Sequence, residues 1–193
     1  MLLAIDTSAG TSAAVLDQGV RSLVVFDDPF GHAENIGLAI SQAMAEAGVV
    51  ATDISGVAIG RGPAPYTGLR VGMAAGLAFA SARSVPSYGV MVLDAVAHSR
   101  SEEQLLLLSN AKRKEVFVAG YRSGARVFGP EVMRPEELAG FAGFETHQAV
   151  CDAAMVGSYA LHALSQGVDL SDVSALYLRS PDVSPSAGKR VTG

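Results

Sequence analysis

The stretch Gly60-Arg61-Gly62-Pro63-Ala64-Pro65-Tyr66-Thr67-Gly68-Leu69-Arg70-Val71-Gly72 constrains this chain more than any other. It joins a stiff Gly/Pro loop to an apolar helix. Pro63 and Pro65 fix their own φ and push the residues before them toward extended backbone. Thr67 is placed to cap the helix that follows, LRVGMAAGLAFASA from Leu69 to near Arg83. That helix has almost no polar face. Gly68, Gly72, Gly76 and Ala80 recur at four-residue spacing and share one side of it. Each interior glycine costs a helix about 1 kcal/mol against alanine. Such a cost points to close backbone contact with another element or another chain.

The chain has 193 residues, 49% hydrophobic and only 17% charged, with a net charge of −5. That balance suits a folded globular protein with much buried surface, a subunit interface included. It gives no basic footprint for gripping nucleic acid. No apolar run approaches the roughly 20 residues of a membrane helix, and the N-terminus carries no signal peptide. A single cysteine, Cys151, permits no internal disulfide and suits a reducing cytoplasm.

Strands are expected over Leu2 to Ile5, Thr11 to Leu16 and Arg21 to Phe26, the last two joined by a hairpin at Asp17-Gln18-Gly19. An amphipathic helix spans His32 to Ala47, with Ile36, Ile40, Met44 and Ala47 on one face and Gly48 as its C-cap. Val57 to Ile59 is a short strand before the Gly/Pro loop. Val85 to Val90 is a strand, and Val92 to His98 a helix. After a polar break at Ser99 to Glu103, strands are expected at Leu105 to Ser109, Glu115 to Tyr121 and Ala125 to Phe128. A short helix opens at Pro135. A strand over Ala149 to Cys151 and a helix from about Ser158 to Gln166 complete the pattern. The order strand, strand, strand, helix, strand therefore occurs twice.

The long Gly/Pro motif resembles the signature of the TsaB family, a subunit of the bacterial machinery that makes threonylcarbamoyladenosine in tRNA. Ala64 and Pro65 stand where that family has Gly and Ser. The opening LLAIDTS, the run NAKRKEVF from Asn110 to Phe117, and ALYLR from Ala175 to Arg179 are also similar to family segments. The resemblance implies a two-lobed actin/hexokinase-like (ribonuclease H-like) α/β fold, with mixed sheets flanked by helices. The lobes would cover residues 1–100 and 101–179, with a mobile tail over 180–193. It further implies a non-catalytic scaffold that pairs with a TsaD-like transferase and works with a TsaE-like ATPase, touching tRNA only through the complex. The implied interface is His32, Ile36, Ile40, Met44, Gly68, Arg70, Gly72, Met73, Gly76, Leu77 and Ala80. ATP and a divalent metal would belong to the partner complex. Self-pairing of the free chain is left open.

Chemistry is sparse. Asp6, Thr7, Ser8, Gly10 and Thr11 form a loop where active members of the wider fold hold phosphate and metal. The plain reading is a capped hairpin, and it is favoured because the second lobe offers Asn110, not a carboxylate, at the matching place. An amide cannot bring a carboxylate's charge to magnesium. His32, His98, His147 and His162 lack the i, i+4 spacing of a helical metal pair, so no metal is expected. Cys151 reads as a buried structural thiol. An ATP-dependent transferase or kinase acting by itself is the alternative, and a metallopeptidase is less well supported.

Overall fold

The computed structural model describes residues 1–28, 30–111 and 113–178. The tail expected over 180–193, with Arg179 and Lys112, lies outside them. Two mixed sheets form. The first runs β3-β2-β1-β4-β5, from β1 (Leu2–Asp6), β2 (Thr11–Leu16), β3 (Val20–Phe26), β4 (Gly56–Gly60) and β5 (Ser87–Val90). The second runs β8-β7-β6-β9, from β6 (Gln104–Asn110), β7 (Val116–Arg122), β8 (Ala125–Met133) and β9 (Glu145–Gln148). In each sheet an antiparallel three-strand meander is extended by a parallel strand beside its first member. The repeat read from the sequence is therefore a repeat of topology.

Both faces of the first sheet are covered, so β1, β2 and β4 are buried along their whole length, and all but Asp6, Thr11 and Ser12 of their residues are apolar or glycine. On one face lie α1 (His32–Ala47) and α2 (Tyr66–Arg83), packed over Leu3, Ile5, Val15 and Ile59. On the other lie α3 (Val92–His98) and α4 (Ala153–Ser165), over Leu2, Ala4, Leu16 and Ala58. That second cluster also takes in Leu105, Leu107, Ala119 and Tyr121 of the second sheet, so α3 and α4 lie between the sheets. The far face of the second sheet, with Leu106, Leu108 and Val118, is closed by Phe128, Leu138, Phe141 and Phe144. No helix among the described residues is long and apolar enough to cross a membrane.

Helix α1 keeps the expected limits. Gly48 closes it at φ 68°, and Val49 N–H returns to Met44 O at 3.0 Å. Three expectations shift. Helix α2 starts at Tyr66 with Pro65 as its cap, and Leu69 N–H reaches Pro65 O at 3.3 Å. Thr67 is thus inside the first turn and caps nothing, because the fixed φ of Pro65 already starts the helix. The strand expected at Ala149 to Cys151 lies at Glu145–Gln148, where polar residues suit an exposed sheet edge. Helix α4 begins five residues before Ser158, because Asp152 Oδ1 accepts Met155 N–H at 2.9 Å and caps it.

Candidate functional site

The open ends of the two meanders face a cleft of about 960 Å³. Thr7, Ser8 and His32 line it from the first lobe, Ser109, Asn110 and Gln148 from the second. Asp6 ends β1 and Asn110 ends β6, so the two are topological counterparts. Asp6 is 1% exposed and does not line the cleft. Its Oδ2 accepts Ser8 N–H at 3.0 Å and Ser8 Oγ at 2.6 Å. Its Oδ1 has no hydrogen-bond partner and lies against Gly60, where an added Cβ would run into that oxygen and stand 3.2 Å from Val92 Cγ1. Burial pushes the carboxyl pKa up to about 6, despite the Ser8 hydrogen bonds.

The rest of the loop is tied inward. Thr7 Oγ1 donates to Gly68 O at 2.9 Å, and Thr11 Oγ1 pairs with His32 Nδ1 at 2.9 Å. Gly10 sits so close to Phe26 O that a Cβ would stand 2.7 Å from it. The Ser8 N–H is used by Asp6, so it is not free to cradle an anion. No carboxylate among the described residues lines the cleft. The described residues of the cleft therefore offer no carboxylate that could hold a magnesium ion directly.

Both arginines of the Gly/Pro motif hold the segment that follows α4. Arg61 Nη1 donates to Asp172 Oδ2 at 2.9 Å and Ser174 O at 3.1 Å, while Leu176 N–H donates to Arg61 O at 2.8 Å. The Arg70 guanidinium lies 3.7 Å over the Tyr66 ring, and its Nε donates to Tyr177 Oη at 2.7 Å. Residues 170–178 are thereby strapped across the motif, and Leu176, Tyr177 and Leu178 become part of the cleft wall. Sequence reasoning missed this strap. The only signal for it is the ALYLR run, which carries no local periodicity.

The glycine stripe meets this chain itself. A Cβ on Gly72 would run into the Thr7 side chain, 2.9 Å from Cγ2. One on Gly76 would stand 2.8 Å from Ile59 Cδ1, and one on Gly68 2.7 Å from His32 Nε2. Ala80 and Met73 are buried with them, as is Ile36 of α1. Ile40, Met44, His32 and Leu77 are half-buried, and Arg70 is exposed. The close approach that the glycines announce is made by β1, β4 and α1. Besides Arg70, the exposed positions of the two helices are others, among them Leu38, Ala74 and Ala78.

Cys151 is buried and its thiol pKa is pushed well up, first by burial and then by the nearby Asp6 and Asp152. Helical spacing gave no hint of one cluster. Glu145 and His147, two apart on β9, meet Glu102, and their ligand atoms lie within 4.8 Å of one another. Arg100 already holds Glu102 at 2.7 Å, and Glu145 holds His147 at 2.7 Å.

Against this geometry stand the relatives. A family model described as TsaD, tRNA N6-adenosine threonylcarbamoyltransferase, matches residues 30–176. An uncharacterized Mycobacterium leprae protein is 33% identical over 96% of this chain and 56% of its own length. The Escherichia coli tRNA threonylcarbamoyladenosine biosynthesis protein TsaB is 29% identical over 63% of this chain and 54% of its own. The chain thus spans little more than half the length of these two relatives. In fold it is similar to an uncharacterized Pseudomonas aeruginosa protein with similarity to peptidase YeaZ. The TM-score is 0.78 at 23% identity, covering 92% of this chain and 99% of that one.

Proposed function

We propose that this chain, which belongs to the TsaD family and is TsaB-like within it, is a non-catalytic subunit of the complex that forms threonylcarbamoyladenosine in tRNA. Its partner is a TsaD-like transferase, which carries the catalytic metal. A TsaE-like ATPase joins the same assembly, and tRNA is met only through the complex. The observation that supports this reading is a cleft to which the described residues bring no carboxylate. Asp6 stands behind the cleft wall with one oxygen held by Ser8, and Asn110 occupies the matching position.

The partner surface on this reading is the outer side of α1 and α2. The two helices pack side by side on one face of the sheet. Leu38 is 51% exposed, and Ala74 and Ala78 present small side chains that let another helix come close.

The test is co-purification with the TsaD-like protein of the same organism, followed by tRNA modification assays with each protein alone and both together. The pair should co-elute, and modification should need both. ATP turnover or tRNA modification by the isolated chain, lost in Asp6→Ala, would instead make it an enzyme of the actin-like fold.

A further inference from the structure

A second recess, of about 440 Å³, lies between α3, α4 and the β7–β8 turn, apart from the cleft. Its size falls within the range of small-molecule sites, and nothing proposed above uses it. Asp94 of α3 lines it, with a side chain 15% exposed. One carboxylate oxygen is taken: Tyr121 Oη donates to Oδ1 at 2.9 Å, and Arg126 Nε lies 3.4 Å from it. Among the described residues Oδ2 accepts no hydrogen bond, and it is not sealed from solvent. A half-buried carboxylate oxygen left open on a recess is an acceptor awaiting a donor.

The wall beside it is aromatic. His98 and His162 stack with centroids 4.5 Å apart, and Tyr159 meets His98 edge-on at 5.8 Å. Burial, and then the neighbouring His162, hold the His98 pKa below its ordinary value. Arg126 is itself fixed, donating to Gly129 O at 3.3 Å. Its charge beside Asp94 offsets the carboxylate and repels a cationic guest. A flat, uncharged heterocycle with an N–H donor satisfies both the open oxygen and the rings.

We propose that this recess binds a nucleobase, whose amino group donates to Asp94 Oδ2 while its ring packs on the His98, His162 and Tyr159 group. Titration of the full chain with adenosine, followed by NMR or calorimetry, tests it against purine riboside, which lacks the amino group. Adenosine should bind saturably, and purine riboside about tenfold more weakly, since one hydrogen bond to a charged acceptor is lost. His162→Ala, at an exposed position, should weaken adenosine about tenfold by loss of stacking, with an unchanged melting temperature. Asp94→Asn should narrow the gap between the two nucleosides. Failure of adenosine to bind up to its solubility limit would overturn the proposal. So would equal affinity for the two nucleosides, or adenosine binding that His162→Ala leaves intact. The isolated chain suffices, so a negative result here leaves the pairing experiment above unaffected.

Discussion

Asp6 is costly to bury ionised. Its folded pKa of about 6 stands above the ordinary 3.8, so between those values the native state holds a proton that the unfolded chain has released. The contribution of this carboxyl to stability is therefore most favourable below about pH 4, falls as pH rises toward 6, and carries the full cost above it. The shift corresponds to about 3 kcal/mol at most. The melting temperature should fall between pH 4 and pH 7, and Asp6→Asn should remove most of that slope. An Asp6→Asn profile parallel to the wild type would show that other groups carry the pH dependence. That Asp6 and Asn110 correspond was readable, because each ends the first strand of a meander. The bond that Ser8 N–H gives to Asp6 was readable only as the favoured of two options, since the same loop could also turn its amides outward. The partners of Arg61 and Arg70 were not readable, since Asp172 and Tyr177 lie more than a hundred positions away.

Among the elements, α2 makes the clearest claim. Its glycines are empty where Thr7 and Ile59 stand. Gly72→Leu should lower stability by about 1–3 kcal/mol or more through overpacking, although leucine is the better helix former by about 1 kcal/mol. Ala74→Leu, on the exposed side of the same helix, should leave stability within about 0.5 kcal/mol. Chemical denaturation of both variants decides it; a Gly72→Leu protein as stable as the wild type would mean the stripe is loosely packed. Amphipathic α1 and its glycine cap were legible because period and cap agree. Small-residue spacing on α2 told that something approaches closely, yet not whether it was a neighbouring element or another chain. Strand β9 escaped because ETHQ has neither alternation nor β-branched bulk beyond Thr146; its pairing with β6 makes it a strand.

Over the whole molecule, the two sheets repeat one topology while their helical cover differs. The first has α1 and α2 over an entire face, and the second has a 3-10 turn, Pro135–Phe141, in the place that α1 occupies in the first. An outward helical pair is thus found on one side of the protein. If it is the partner surface, Ala78→Glu should abolish co-elution with the TsaD-like protein while circular dichroism and melting temperature stay as in the wild type. Persistent co-elution of a folded Ala78→Glu protein would place the contact elsewhere.

Helix α4 is made late and used early in space. It closes the face of the first sheet over Leu16 and Ala4, with Gly157 set directly against them. During synthesis, at about 5–20 residues per second, the strands of that sheet leave the ribosome several seconds before their cover does. For that interval β1, β2 and β4 can pair with one another, but α3 is all the cover that one side has among the described helices. The nascent first lobe is then a sticky half-sandwich, and its productive life depends on α4 arriving before a neighbour's helix does.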